Sequence, residues 1–134
     1  MSSDAKISIV DDDLFVRQAT GNLLESLGFG VTTFASAEAF LESGLADDTL
    51  CLIADVQMPG LTGLDLQQRL IEGGKRLPII FITAFSTESA RKQALEAGAI
   101  GFLSKPFGDD CLIECLNRAL RGRCQICSNS AVIG

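Results

Sequence analysis

Residues 51–55 read CLIAD and residues 79–83 read IIFIT, and both runs are apolar almost throughout. Such runs are typical of parallel β-strands that helices cover on both faces. Shorter apolar runs at residues 6–10, 30–34 and 101–104 repeat the pattern along the chain. The sequence therefore predicts five strands, at Lys6–Val10, Gly30–Phe34, Cys51–Asp55, Ile79–Thr83 and Gly101–Ser104.

Each segment after one of these strands carries apolar residues every three or four positions, which is the periodicity of one helix face. Gly28 and Gly44 follow the first two segments as stop signals, and Thr62 with Asp65 has the pattern of a capping box before the third. Connections of this length suit right-handed crossover helices rather than hairpins. The predicted fold is α/β, a doubly wound sheet of five parallel strands flanked by five helices, in one domain over residues 1–121.

The amino-acid composition excludes several classes of partner and of catalytic site. The chain has 11 basic and 17 acidic residues and a net charge of −6, which argues against nucleic acid or an anionic membrane as its main partner. It contains no histidine, which excludes a Ser-His-Asp triad, a Cys-His pair and any histidine-ligated metal site. The chemistry must therefore come from carboxylates, lysine, hydroxyls or thiols.

The N-terminus and the cysteines predict a cytoplasmic protein. No basic region followed by an apolar run opens the chain, and no apolar stretch is long enough to span a bilayer. Cys51, Cys111 and Cys115 lie within apolar patterns, as reduced core thiols do. Cys124 and Cys127 fall in residues 122–134, which we interpret as a tail or the start of a linker. A single Cys-x-x-Cys pair does not make a zinc ribbon, so these two receive no role.

Polar residues follow four of the five predicted strands. In open α/β sheets, functional side chains lie just past the carboxyl ends of the strands. The second strand is followed only by Ala-Ser-Ala at 35–37, which offers little chemistry. The residues at the other four strand ends are Asp11, Asp12 and Asp13, then Asp55, then Thr83 and Ala84, and finally Ser104, Lys105 and Pro106. If these four strands are neighbours, carboxylates, a hydroxyl and an ammonium group meet at one edge of the sheet.

Clustered carboxylates repel one another, so such a cluster near neutral pH requires a cation. Since the donors are all oxygens, Mg²⁺ or Mn²⁺ is the expected ion. A carboxylate beside a divalent ion can attack phosphorus and form an acyl phosphate. Lys105 would offset charge on the transferring group, and Thr83 could donate a hydrogen bond to it.

Four motifs in this order resemble the receiver domain of two-component response regulators. They are Val10-Asp11-Asp12, Asp55-x-x-Met58-Pro59-x-x-x-Gly63, Thr83-Ala84 and Lys105-Pro106-Phe107. The likeness covers about residues 5–121, and SAEAFL at residues 36–41 is similar to the nitrogen-fixation and nodulation regulators of the FixJ/NodW type. The resemblance implies a CheY-like sheet with the strand order 2-1-3-4-5.

The resemblance also implies a metal site and a phosphoacceptor. Asp55 would be the phosphoacceptor and would attack a phosphohistidine of a partner kinase. Asp12 and Asp55 would bind Mg²⁺ directly together with the backbone carbonyl of Gln57, and Asp11 would act mostly through water.

Further roles implied by the resemblance concern the phosphoryl group and the response to it. Thr83, the amide of Ala84 and Lys105 would hold the phosphoryl oxygens. Phe102 stands where the family has an aromatic switch residue and would turn inward as Thr83 moves, which would reshape the face formed by helix 4, strand 5 and helix 5. The bond from Lys105 to Pro106 would be cis.

The implied partners are a sensor histidine kinase and, on phosphorylation, a second copy of the chain. The domain would be a switch that phosphorylates and dephosphorylates itself rather than a turnover enzyme, and it would bind neither nucleic acid nor membrane directly. It would act on a downstream effector that controls transcription. Whether the natural protein continues into a C-terminal DNA-binding effector domain is left open by the sequence.

Two other functions compete. A haloacid-dehalogenase-like phosphatase would use Asp11 as its nucleophile, since Asp11-x-Asp13 fits the first motif of that class. However, Phe15 stands where that motif has Thr or Val, and Asp55 would have no nucleophilic role. A flavin binder would need a phosphate-binding loop after the first strand, where the aspartates would repel phosphate.

Overall fold

The strands and helices alternate along the chain in a computed structural model that describes residues 6–75, 77–84, 87–105 and 108–121. The strands are β1 (Lys6–Val10), β2 (Gly30–Phe34), β3 (Cys51–Asp55), β4 (Ile79–Thr83) and β5 (Gly101–Ser104). The helices are α1 (Leu14–Ser26), α2 (Ala37–Ser43), α3 (Gly63–Glu72), α4 (Glu88–Glu96) and α5 (Asp109–Arg121). A short 3₁₀ helix at Ala46–Asp48 precedes β3.

The five strands form one parallel sheet in the order β2-β1-β3-β4-β5, which confirms the predicted fold class. The winding direction reverses beside β1, because β1 pairs with both β2 and β3. Val10 lies opposite Ala54, and Asp55 lies opposite Ile82. The first residues after β1, the end of β3 and the end of β4 therefore meet at one edge of the sheet.

Two apolar layers cover the sheet, as the apolar central strands require. On one face, α1 and α5 pack through side chains such as Leu24 and Leu116. On the other face, α2, α3 and α4 pack through side chains such as Phe40, Leu66 and Ala94. Every residue of β3 and β4 is buried, so the edge where these strands end is rigidly supported.

Side-chain caps fix where α1, α2, α3 and α4 begin. Asp13 accepts hydrogen bonds from the amides of Phe15 and Val16 and so caps α1. Thr62 and Asp65 form the predicted capping box at the start of α3. These caps set the direction in which the loops after β1 and β3 leave the sheet.

The cysteine prediction was right for two of the three cysteines. Cys51 and Cys115 are buried thiols in the layer between the sheet and α5, whereas Cys111 is exposed. Cys111 lies next to Leu112 in sequence but off the buried stripe of α5, because a one-residue step turns the side chain by about 100°. The motif residues Pro106 and Phe107 and the tail at 122–134 lie outside the described residues. No described helix is both long enough and apolar enough to cross a membrane.

Candidate functional site

Three carboxylates meet where β1 and β3 end. Each of Asp11, Asp12 and Asp55 offers one oxygen to a group in which all three lie within 4.8 Å of one another. Asp11 is fully buried and Asp55 is 4% exposed, whereas Asp12 is open to solvent. The structure thus brings together the acidic residues that the sequence placed at separate strand ends.

Lys105 joins two of these carboxylates. Its Nζ lies 3.1 Å from Asp11 Oδ2 and 3.2 Å from Asp55 Oδ2. The lysine follows β5 directly, and its amide donates to the main-chain oxygen of Thr83 at the end of β4. The sequence predicted that this lysine offsets charge on a transferred group, and in the structure it contacts two carboxylates.

The electrostatics of Asp55 favour its protonated form more than usual. Burial and the neighbouring charge of Asp11 raise the pKa of Asp55 from 3.8 to about 6, against the opposing effects of the Gln57 amide and Lys105. Burial lowers the pKa of Lys105, but its bonds to the two aspartates outweigh burial, so that the pKa of Lys105 is raised overall. The ammonium group therefore stays charged and balances one of the carboxylates.

The loop after β1 is held by two further contacts. Asp11 Oδ1 accepts from the amide of Asp13 at 2.9 Å, and the guanidinium of Arg17 donates to the main-chain oxygen of Asp11 at 2.7 Å. Arg17 lies in α1, so the helix braces the loop that carries the acids. Sequence reasoning missed Arg17, although a basic residue in the second turn after an acidic loop was a usable signal.

The loop after β3 is anchored at both of its ends. The amide of Gln57 donates to Asp55 Oδ1 at 3.1 Å, and the amide of Gly63 donates to the main-chain oxygen of Val56 at 3.0 Å. A Cβ at position 63 would collide with the main-chain oxygen of Asp55 and would press on the ring of Phe81. Only glycine allows α3 to begin this close to the site.

Thr83, Ala84 and Phe102 lie where the sequence predicted, at the ends or on the face of neighbouring strands. Thr83 is fully buried at the end of β4, and Ala84 after it is exposed. The half-buried ring of Phe102 packs against Phe81, with ring centroids 6.4 Å apart and an interplanar angle of 52°. Phe102 therefore faces the layer that holds α4.

An apolar groove of about 550 Å³ opens beside the site between α1 and α5. Lys105 and Ala84 form its rim on the side of the carboxylates, and Val16, Leu23 and Leu112 line its walls. At the start of α1, Leu14 is 50% exposed and Phe15 is 80% exposed. Large exposed apolar side chains next to a reactive group are typical of a surface that meets another protein.

The carboxylate cluster suits a hard divalent cation. Its donors are oxygens of three aspartates, the ligand type that Mg²⁺ prefers. The one lysine in contact with the cluster offsets only part of its charge, so a cation would complete the balance. Asp12 gives the site an open side through which an ion and its water could enter.

A family model described as the response regulator receiver domain matches residues 7–117. Nodulation protein W of Bradyrhizobium diazoefficiens is 42% identical to this chain over 84% of the chain and 50% of its own length. The transcriptional regulatory protein FixJ of the same organism is 37% identical over 90% of the chain and 59% of its own length. The chain thus spans about half the length of these curated relatives.

Solved structures give the same result for the fold. The crystal structure of FixJ-N superimposes with a TM-score of 0.78 and 36% identity, covering 87% of this chain and 94% of that one. The match therefore covers most of the length of both chains.

Proposed function

Because this chain belongs to the response regulator receiver family, we propose that Asp55 is its phosphoacceptor and that Asp11, Asp12 and Gln57 complete a Mg²⁺ site around it. The domain is the receiver of a two-component system, a signalling switch. The observation that supports Asp55 is its place: a nearly buried carboxylate at the end of β3, bonded to Lys105 and within 4.8 Å of two other carboxylates. The phosphatase alternative with Asp11 as nucleophile finds no support among these relatives.

The proposed transfer moves a phosphoryl group from a histidine to Asp55. An oxygen of the Asp55 carboxylate attacks phosphorus, the phosphorus–nitrogen bond breaks, and the imidazole leaves with the bonding electron pair. Lys105 is released from Asp55 and meets a phosphoryl oxygen, while Thr83 and the amide of Ala84 hold the others. Mg²⁺, or Mn²⁺ in its place, would neutralise phosphoryl charge when bound by Asp12, Asp55 and the Gln57 carbonyl, with Asp11 acting through water.

The switch in this proposal passes from Thr83 to Phe102. Thr83 ends β4 and Phe102 lies on the neighbouring strand β5, two residues before Ser104, the partner of Thr83 in the register. Movement of Thr83 toward the phosphoryl group frees space that the Phe102 ring enters. Since Phe102 packs in the layer that also contains Ala94 of α4, its movement would reshape the surface of α4, β5 and α5.

The proposed partners follow from the relatives. A sensor histidine kinase donates the phosphoryl group, and the altered surface pairs with a second phosphorylated copy. FixJ is named a transcriptional regulatory protein, and this chain spans 59% of its length. We infer that the natural protein controls transcription through an effector segment beyond the receiver. We also assign it to the cytoplasm and assign it no turnover activity of its own.

Intact mass after incubation with a small phosphodonor and Mg²⁺ tests the assignment of Asp55. The wild-type chain is expected to gain one phosphoryl group, while Asp55→Asn and the metal-free control gain none. A wild-type chain that gains nothing would contradict the proposal. A gain that survives Asp55→Asn but is lost in Asp11→Asn would establish Asp11 as the nucleophile instead.

A further inference from the structure

We propose that Glu38 is a positioning residue that holds the loop between β3 and α3, and thereby the main-chain carbonyl of Gln57, in place for the cation. This inference rests on the proposed function, because it concerns the same Mg²⁺ site. Glu38 lies in the first turn of α2, just after the end of β2, where Ala-Ser-Ala at 35–37 offers little chemistry.

The contact itself joins two parts of the chain that are distant in sequence. Glu38 Oε2 accepts a hydrogen bond from the amide of Leu61 at 3.3 Å. Gly60 turns through a left-handed conformation, with φ +76°, directly against the same carboxylate. A Cβ at Gly60 would lie 2.7 Å from Glu38 Oε2, so the bare glycine backbone is what allows the carboxylate to come this close.

The loop needs such a support at its centre. Its start is fixed by the Gln57 amide on Asp55, and its end is fixed by the Thr62 cap of α3. Between these points Met58 is buried, but Pro59 and Gly60 are exposed. In the part of the chain that the structure describes, the bond to Glu38 is the hydrogen bond that ties residues 58–61 to another element.

The support is rigid because α2 is firmly seated. Ser36 caps the helix by accepting from the amide of Ala39, and Phe40 is fully buried under the sheet. Glu38 therefore transmits the position of α2 to the loop. Groups that orient a metal ligand without touching the metal change its affinity because they fix the geometry of the ligand.

Substitutions at residue 38 separate the hydrogen bond from the negative charge. Glu38→Gln keeps an oxygen that can accept from the Leu61 amide but removes the charge, whereas Glu38→Ala removes both. Glu42, an exposed acid one turn further along α2, gives the matched controls Glu42→Gln and Glu42→Ala. Calorimetric titration with MgCl₂ measures the affinity directly and needs no phosphodonor.

We expect Glu38→Ala to bind Mg²⁺ about two- to tenfold more weakly than the wild type, at an unchanged melting temperature. Glu38→Gln should stay within about twofold of the wild type, as should both Glu42 variants. In metal-free protein, amide hydrogen exchange at Leu61 should become faster in Glu38→Ala alone.

Other results would contradict either the role of Glu38 or the proposed function. Equal Mg²⁺ affinity and equal Leu61 exchange in Glu38→Ala and the wild type would refute the role of Glu38. Equal losses in Glu38→Ala and Glu38→Gln would replace positioning with a simple effect of charge. If the wild-type chain binds no Mg²⁺, the proposed function fails, while the exchange measurement still decides whether Glu38 holds the loop.

Discussion

At the scale of one residue, the ionised form of Asp55 that the proposed function needs is the form that destabilises the fold. In the proposed transfer its carboxylate must be ionised to attack phosphorus, but burial and the charge of Asp11 raise its pKa to about 6. The folded state therefore holds a proton on Asp55 at pH values where the unfolded chain has already released it. Ionisation of Asp55 therefore lowers the free energy of unfolding as the pH rises from about 4 to 6. Above about pH 6 the loss is complete and no longer changes with pH.

Asp55→Asn is expected to stabilise the metal-free domain at pH 8, because it removes this cost. The rise of the pKa from 3.8 to about 6 corresponds to at most about 3 kcal/mol, a limit that the loss of the Lys105 contact reduces. The gain should shrink as the pH falls toward 4.5. Thermal unfolding in chelating buffer at both pH values measures it.

Glu114→Gln is the control for this measurement, since Glu114 is an exposed carboxylate of α5. It should change the melting temperature little at either pH. A stabilisation by Asp55→Asn that is equal at pH 4.5 and pH 8 would show that ionisation of Asp55 does not lower the free energy of unfolding.

At the scale of secondary-structure elements, the first residue of α3, Gly63, allows the helix to pack closely against the end of β3. Gly63 begins the helix against the main-chain oxygen of Asp55 and the ring of Phe81, with no room for a side chain. Gly73, which caps the other end of the same helix, has its nearest neighbours at 3.5 Å or more. Of these two glycines at the ends of α3, only Gly63 lacks room for a methyl group.

Gly63→Ala should lower the free energy of unfolding by about 1–3 kcal/mol, because the added methyl group must displace β3 or Phe81. Gly73→Ala should change it by less than about 1 kcal/mol. Urea denaturation of the two variants measures the difference. Equal effects at both positions would contradict the close packing of α3 on the strand that carries Asp55.

Among the described residues, one side-chain hydrogen bond attaches α4 to the neighbouring helix α3, in addition to apolar packing. Gln67 of α3 is 3% exposed, and its side-chain amide donates to the main-chain oxygen of Ala94 at 3.1 Å. Ala94 is the one fully buried residue of α4. The C-terminal half of α4 is therefore attached more firmly than its N-terminal half.

Gln67→Ala is expected to destabilise the domain by about 1–3 kcal/mol and to speed amide exchange within α4. The neighbouring Gln68 is exposed and bonds only to Glu72 of its own helix, so Gln68→Ala is the matched control. Amide exchange followed by mass spectrometry reports on α4 directly. Unchanged protection of α4 in Gln67→Ala would mean that apolar packing alone holds the helix.

At the scale of the whole molecule, the parallel sheet brings the carboxylates together at one edge. The surface of the proposed switch lies to one side, on α4, β5 and α5. The sequence predicted all five strands with the bounds that the structure has, because apolar runs such as CLIAD and IIFIT are unambiguous when polar residues limit them. Asp55 and Lys105 were predicted from their places after the strand ends and from the order of the family motifs, and the structure brings them into contact. Arg17 was missed although its position after an acidic loop was a usable signal. The contact of Glu38 could not be predicted, since it depends on where α2 lies relative to the loop after β3.

A phosphoryl mimic should turn the proposed switch into a change of oligomeric state. With beryllofluoride and Mg²⁺, the chain is expected to elute from gel filtration as a dimer, while Asp55→Asn stays monomeric. The same result is expected for a chain that ends at residue 121, because the predicted receiver domain ends there. An elution volume that does not respond to the mimic would contradict dimerisation through the face of α4, β5 and α5.

The bridge from Lys105 to two carboxylates has a practical consequence. Since the protein supplies its own counter-charge at 3.1 and 3.2 Å, we expect the domain to fold without the ion and to bind it afterwards. The domain should therefore keep its shape in chelating buffers during purification. A kinetic experiment could then mix protein and phosphodonor in advance and use the addition of the ion as its time zero.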